Sequence, residues 1–112
     1  MQIVTVDGEG GIARVALTGK LDIAGAEVIS IPLATLSGAK QGIVVDMSGV
    51  SFISSIGIRH IVMAAKALSR RNGRLVLLKP TPMVVEVLTT ARIIEIIPIA
   101  ETDAEAMALV EK

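Results

Sequence analysis

The 112-residue sequence predicts an α/β fold, in which a mainly parallel sheet of four to five strands packs against about four helices. Short segments rich in Ile, Val and Leu alternate along the chain with segments whose apolar residues recur at helical spacing. Strands that alternate with helices in this way usually form parallel sheets. Neither a linker nor an internal repeat interrupts the pattern, so we expect one domain over residues 1–112.

The first two strands are expected to form an N-terminal hairpin. Residues 2–7 and 12–17 alternate between apolar and polar types and are rich in β-branched side chains, as half-buried strands are. The glycine-rich residues 8–11 between them predict a turn. Thr18-Gly19-Lys20 interrupts the alternation, so the second strand is predicted to end at Leu17.

The first helix is expected to have Asp22 as its N-cap, because the apolar residues that follow recur at roughly helical spacing. Pro32 lies inside this segment. A proline removes one helical hydrogen bond, so we expect a kink or a break near residues 30–31. Ser37-Gly38 is expected to end the helix.

The central strand and the helix after it have the clearest patterns in the chain. Residues 42–46 form a continuous apolar run that ends in Asp46, which is typical of a strand covered on both faces. Residues 55–72 predict a long amphipathic helix, and Asn72-Gly73 is a typical C-terminal stop. The side chains expected to face the sheet are Ile58, Ile61, Val62, Ala65 and Leu68.

The last third of the chain predicts two more strands and two more helices. Residues 74–78 predict a short buried strand, and Pro80 and Pro82 bracket the start of a helix that ends at about Ala91. Residues 93–97 predict the final strand. Thr102 and Glu105 resemble a capping box that opens a terminal helix. The predicted order is therefore β-β-α-β-α-β-α-β-α.

Two serines stand at the start of the long helix, and either one can be its N-cap. The third helical residue is then Ile58 or Gly57, and neither can close a capping box. Backbone N–H groups at this helix end are therefore available to an anion, and a phosphate on Ser55 would meet the positive end of the helix dipole. The alternative interpretation is that Ser54 and Ser55 are ordinary caps, since serine is among the commonest N-cap residues.

One stripe of the same helix lies between its predicted core side and its charged side. Methionine adapts to the shape of a partner, so this stripe is a candidate contact surface. It is equally consistent with packing against a neighbouring helix. The stripe consists of Ile56, His60, Met63 and Ala67, and the side opposite the core is predicted to carry Arg59, Lys66 and Arg70.

Composition argues against several classes of function. Eleven basic residues balance eleven acidic ones, and Phe52 is the only aromatic residue, so the charge excess and stacking platforms of nucleic-acid-binding proteins are missing. The chain has no cysteine, which excludes disulfides and thiolate metal sites. No apolar run approaches the roughly 18 residues of a membrane span, and the N-terminus has no signal-like segment, so we expect a cytoplasmic protein.

Asp22 and Asp46 are the candidates for a pair of catalytic carboxylates. Each is of a type that more often caps a helix or forms a turn, and no histidine or third acid accompanies them at useful spacing. We therefore expect no enzymatic activity, no metal and no cofactor.

Three segments of the sequence resemble a known family. Residues 21–24 (Leu-Asp-Ile-Ala), 45–48 (Val-Asp-Met-Ser) and 52–59 (Phe-Ile-Ser-Ser-Ile-Gly-Ile-Arg) are similar to the STAS domain, and more narrowly to the bacterial anti-sigma-factor antagonists. The Asp-x-Ser motif followed by Ser-x-Gly-Ile is the specific part of the resemblance. The likeness extends over essentially the whole chain and implies the STAS fold.

The resemblance implies a non-enzymatic protein switch, with Ser55 as the phosphoacceptor and Ser54 as the alternative. In that family, the unphosphorylated antagonist binds a partner that is both anti-sigma factor and serine kinase. Phosphorylation by this partner blocks binding, and a PP2C-type phosphatase reverses the modification. This sequence departs from the family pattern at Ser54 and Ile56, where the better-known version has aspartate and serine.

The resemblance also implies roles for residues around the acceptor. Asp22 matches a loop aspartate near the acceptor, and Asp46 matches the aspartate that ends the central strand. The predicted partner-binding residues are Asp22, Ser54, Ile56, Gly57, Arg59, His60 and Met63. Some STAS domains are not phosphorylated, so the alternative function is a constitutive scaffold or sensor module that binds a protein or a small ligand. The sequence makes no prediction of oligomeric state.

Overall fold

A five-stranded sheet with the strand order β1-β2-β3-β4-β5 forms the centre of the computed structural model, which describes residues 1–111 and, at Glu9, the backbone alone. Strand β1 is antiparallel to β2, and the other neighbouring pairs are parallel. The strands are β1 (Gln2–Asp7), β2 (Ile12–Leu21), β3 (Gly42–Ile53), β4 (Arg74–Leu78) and β5 (Ile99–Ala100). The predicted fold class, with its N-terminal hairpin and mainly parallel sheet, is confirmed.

Four α-helices cover the two faces of the sheet unequally. The helices are α1 (Ile23–Ala39), α2 (Ser55–Ser69), α3 (Pro82–Thr90) and α4 (Asp103–Val110), with 3₁₀ turns at Glu9–Gly11 and Ile93–Glu95. Buried side chains of α1, α2 and α3 share the larger aliphatic core with one face of the sheet. Helix α4 forms a smaller core with the other face, over β3, β4 and β5. The continuous apolar run of β3 fits this double coverage.

Strands β2 and β3 are both longer than the sequence predicts. The predicted end of β2 at Leu17 is wrong, because residues 18–21 continue to pair with β3 through two shifts of register. Gly19 lies between these shifts with a positive φ of 113°, a conformation that favours glycine. Strand β3 pairs with β4 only as far as Asp46, so residues 47–53 extend with the end of β2 as a two-stranded ribbon.

Helix α1 runs from Ile23 to Ala39 without the predicted break at Pro32. The proline leaves the carbonyl of Val28 without a helical N–H donor, but the side chain of Val28 is 43% exposed, so this turn of the helix faces water. Ile29 and Leu33 on the opposite side are fully buried and hold the helix on the sheet. The predicted N-cap is confirmed, because Gly25 N–H donates to Asp22 Oδ1 at 2.8 Å.

The final strand does not lie at residues 93–97 as predicted. These residues form a 3₁₀ turn instead, after Arg92 with a positive φ of 62°, and the N–H groups of Ile96 and Ile97 both donate to the carbonyl of Ile93. The run has no alternation to select one buried face, and local turn bonds replace the pairing with β4. Pairing resumes at Pro98, whose carbonyl accepts from Leu77 N–H at 3.0 Å.

The predicted C-terminal stop of α2 and the predicted start of α4 are largely correct. Helix α2 ends at Ser69, earlier than predicted, and its stop signal is confirmed with Asn72 in the left-handed region and Gly73 N–H donating to Leu68 O at 2.7 Å. At α4, Thr102 Oγ1 accepts from Glu105 N–H at 3.1 Å, as in a capping box. The Glu105 carboxylate returns to Glu101 N–H, one residue before the cap.

The start of α1 depends on a close approach to β2 that only glycine permits. A Cβ atom on Gly25 would lie 2.2 Å from the backbone oxygen of Lys20, whereas a Cβ atom on Gly38 in the same helix would meet nothing within 4 Å. We therefore expect Gly25→Ala to lower the free energy of unfolding by about 1–3 kcal/mol. Gly38→Ala is the matched control and should raise it by about 0.5–1 kcal/mol. Urea unfolding followed by circular dichroism measures both, and equal effects would contradict the close approach.

Candidate functional site

The starts of α1 and α2 lie side by side at the carboxyl ends of β2 and β3. Leu21 and Ile53 are paired as neighbours in the sheet, and each is the last residue of its strand. Helix α1 begins at Ile23 and α2 begins at Ser55, directly after these ends. The two helices therefore run parallel to each other, and their positive ends lie at the same edge of the sheet.

Ser54 is the N-cap of α2, which decides between the two serines. Its Oγ accepts from Gly57 N–H at 3.2 Å and donates to the carbonyl oxygen of Leu21 at 2.8 Å. The backbone N–H of Ser54 donates to the same carbonyl at 2.8 Å. The Ser54 side chain is half-buried, and its hydroxyl is engaged both as donor and as acceptor.

Ser55 is the first helical residue, and its side chain is exposed. Among the residues that the structure describes, no partner is hydrogen-bonded to its hydroxyl or to the N–H groups of Ser55 and Ile56. The first turn of a helix leaves such N–H groups to water or to an anion. The available hydroxyl at this helix end is therefore that of Ser55.

Gly57 lets Leu21 of β2 pack directly against the first turn of α2. It is buried, and a Cβ atom there would lie 2.6 Å from Leu21 Cγ and 3.1 Å from the Leu21 carbonyl oxygen. Leu21 fills the space that a side chain at residue 57 would need, so Gly57 positions the start of α2 against β2.

Ser55 faces a shallow groove between α2 and α3. The groove has a volume of about 470 Å³, and α3 contributes Met83, Glu86, Val87 and Thr90 to its lining. Apolar lining residues and a single carboxylate stand next to the free hydroxyl. A phosphate on Ser55 would therefore add negative charge to a mostly apolar surface.

The predicted contact stripe of α2 lies on a different groove. His60 and Met63 line a depression of about 460 Å³ between α1 and α2, opposite Ala34 and Gly38 of α1. Arg59 is exposed, as predicted, and Ile56 is half-buried. Helix α2 is therefore a ridge with Ser55 on one flank and the stripe on the other.

The buried side of α2 differs slightly from the prediction. Val62 and Ala65 were expected to face the sheet, but both are half-buried. Ala64 occupies the core position instead and is 3% exposed. The core seam is Gly57, Ile58, Ile61, Ala64 and Leu68.

Three exposed apolar residues near the starts of the helices were not among the predicted site residues. Ile23 is 72% exposed, Phe52 is 42% exposed and Met83 is 52% exposed. Ile23 and Met83 belong to the first turns of α1 and α3, and Phe52 lies two residues before Ser54. For Ile23 the available signal was an apolar residue directly after the predicted cap at Asp22, where the helical pattern has not yet fixed a buried side.

The Asp46 carboxylate lies on the α4 side of the sheet, away from the cap that Asp22 forms, and is engaged in local contacts. Its Oδ1 accepts from the backbone N–H and from the hydroxyl of Ser48, at 3.0 and 2.7 Å. Arg14 lies 3.6 Å from its Oδ2 and also pairs with Asp103 of α4. Asp22 and Asp46 are therefore engaged in separate local contacts and form no carboxylate pair.

The described side chains offer no centre for metal chemistry. Among them, no group of three or more His, Asp or Glu residues has the arrangement to hold a metal ion. Within residues 1–111, no helix is both long enough and apolar enough to cross a bilayer.

Comparisons with known proteins agree with this architecture. The STAS domain family model matches residues 4–106. BtrV of Bordetella bronchiseptica, described as a candidate anti-sigma factor antagonist, is 31% identical over 106 residues, which cover 94% of this chain and 91% of BtrV.

Two solved structures of SpoIIAA share the fold. The unphosphorylated form of this anti-sigma factor antagonist aligns with a TM-score of 0.82 and 24% identity, over 96% of this chain and 95% of SpoIIAA. The phosphorylated form of the Bacillus cell fate determinant SpoIIAA aligns with a TM-score of 0.76 and 23% identity, over 96% and 98% of the two chains.

The two serines are expected to contribute very differently to stability. Ser54→Ala removes the N-cap and one donor to the Leu21 carbonyl, so it should lower the free energy of unfolding by about 1–2 kcal/mol. Ser55→Ala removes an exposed hydroxyl without a partner and should change it by less than about 0.5 kcal/mol. Urea unfolding measures both values. A larger loss in Ser55→Ala than in Ser54→Ala would show that the cap is assigned to the wrong serine.

Proposed function

The chain belongs to the STAS domain family, and we propose that it acts as an anti-sigma-factor antagonist that is controlled by phosphorylation of Ser55. The unphosphorylated protein binds an anti-sigma factor that is also a serine kinase. Phosphorylation releases it, and a PP2C-type phosphatase restores the binding form. The relationship to BtrV and the SpoIIAA-like fold support the antagonist role.

The observation that carries the proposal is the difference between Ser54 and Ser55. Ser54 is held by Gly57 and Leu21, whereas Ser55 is exposed on the first turn of α2. A phosphate added at Ser55 lies near the N–H groups of the helix start and the positive end of its dipole, so the fold tolerates the modification. Modification of Ser54 would instead break the contact between α2 and β2.

The groove beside Ser55 supports a mechanism for release. A phosphoserine carries about −1.5 to −2 charge at neutral pH. Glu86 lines the same groove, together with the apolar Met83 and Val87. A partner that covers these apolar residues would have to bury the phosphate next to a carboxylate, and this desolvation and repulsion oppose binding.

The other predicted site residues divide into positioning and contact roles. Asp22, Ser54 and Gly57 fix the two helix starts against β2 and act through the geometry of Ser55. The exposed or half-buried side chains on α2 are proposed to contact the partner: Ile56, Arg59, His60 and Met63. We propose no catalytic activity or cofactor for the chain, and its proposed partners place it in the cytoplasm.

A second candidate function is a STAS scaffold or sensor module that binds constitutively. The groove between α1 and α2 favours this alternative, because it does not include Ser55. A partner bound there would be insensitive to a phosphate on the other flank of α2. Intact-mass measurement of the protein purified from its own cells separates the two functions, since the scaffold needs no phosphorylated fraction.

Phosphorylation control is tested by charge at position 55. We expect Ser55→Asp to weaken binding to the co-purifying serine kinase by at least about 100-fold, because an interface that buries an uncompensated charge loses several kcal/mol. Ser55→Ala should bind within about threefold of the unmodified protein, since it removes only the acceptor hydroxyl. Titration calorimetry with the purified kinase measures both affinities.

The control is Ser69→Asp, an exposed serine at the other end of α2, which should leave binding unchanged. Equal affinities of the Ser55→Asp and Ser55→Ala variants would sink the phosphorylation switch while leaving the fold intact.

A further inference from the structure

The exposed side of α1 is unusually apolar for a helix that faces solvent. Glu27 is the only charged residue among the 17 residues of the helix. Ile23 and Ile31 are 72% and 75% exposed. A surface helix normally carries charged or polar residues on its outer face. The composition of α1 therefore indicates a surface that another molecule covers.

This surface continues into the groove between α1 and α2. Ser30, Ala34 and Gly38 line the groove from α1, and Glu27 and Ile31 follow the same side of the helix at spacings of three and four residues. The groove is open at its α1 end, because a Cβ atom on Gly38 would meet no atom within 4 Å. Small side chains here allow the backbone of a second helix to approach closely.

Charge is distributed unevenly along the groove. Residues 55–74 contain five basic residues and no acidic one, and two of the five, Lys66 and Arg70, line the groove near the end of α1. Arg71 fixes this end by donating to the carbonyls of Ser37 and Lys40, at 2.7 and 2.9 Å. Lys66, Arg70 and Glu27 take part in no ion pair within the described residues.

Glu27 lies about two helical turns from Ala34, towards the start of α1. The acid and the bases are thus at opposite ends of one surface. Such a surface is complementary to its own copy when the copy is turned around, because each acidic end then meets a basic end.

We propose that this face is a homodimer interface, in which α1 of a second copy packs antiparallel to α1 about a two-fold axis near Ile31. Because α1 and α2 run parallel, the antiparallel α1 places Glu27 of the second copy beside Lys66 and Arg70. The two-fold axis repeats this pairing, and the exposed isoleucines are buried between the copies. The interface excludes Ser55, but it covers the groove lined by His60 and Met63, so a second copy and the proposed partner compete for that groove.

The oligomeric state of the full chain tests the proposal. Sedimentation velocity from about 1 µM to about 1 mM should show a concentration-dependent dimer. Ile31→Glu should weaken dimerisation at least about tenfold, because it buries a charge at the centre of the interface. Ile96→Glu is the matched control: this residue is 62% exposed, lies outside the groove and should leave the dimer unchanged.

Charge reversal tests the predicted pairing itself. Glu27→Lys and Lys66→Glu should each weaken the dimer, and the double variant should recover most of the loss, because it restores opposite charges across the interface. Circular dichroism of each variant confirms that the monomer stays folded. A wild-type chain that is monomeric over the whole concentration range overturns the proposal. The same holds if that monomer binds anionic vesicles through this face. A dimer that Ile31→Glu does not weaken, or a double variant no better than the single ones, also overturns it.

Discussion

The carbonyl oxygen of Leu21 is the point on which the geometry of the candidate site depends. It accepts from both the N–H and the hydroxyl of Ser54, and so it joins the last residue of β2 to the residue that begins α2. The same hydroxyl caps α2 through Gly57, which has no side chain because Leu21 occupies that space. One carbonyl thus aligns a strand end, a helix start and, through the helix, the orientation of Ser55.

This anchor gives α2 two flanks that border separate grooves. The helix is held to the sheet by its aliphatic seam, so the side chains on either side of that seam border separate grooves. Ser55 borders the groove towards α3, and His60 and Met63 border the groove towards α1. The proposed phosphorylation site and the proposed interface between copies therefore lie on different flanks of one helix.

Features set by nearby residues were predictable from the sequence, and features set by distant residues were not. The cap at Asp22 and the stop at Asn72-Gly73 need only neighbours a few residues away, and both were predicted correctly. The choice between Ser54 and Ser55 depends on Leu21, which lies 33 residues from Ser54 along the chain. No local pattern contains that contact.

The errors in the strands have the same origin. Residues 18–20 look like the end of a strand, yet pairing with β3 across two irregularities keeps them in the sheet. The isoleucines of residues 93–97 resemble the apolar run of a buried strand, but a 3₁₀ turn forms there, and the strand that pairs with β4 is Ile99–Ala100. Asp46 was predicted to end its strand, but β3 continues to Ile53, and the contacts of Asp46 with Arg14 and Ser48 depend on the sheet face that it occupies.

The ribbon formed by the ends of β2 and β3 has a consequence for how the protein folds. Both register shifts lie between the regular sheet and the anchor at Leu21, so the anchor forms only when each irregularity has been placed correctly. Side chains alternate between the faces of a strand, so a slip of one residue would turn Leu21 away from the core without altering any residue of the site. The Ser54 hydroxyl is therefore engaged, and Ser55 stands at the start of α2, only in molecules in which both register shifts are in place.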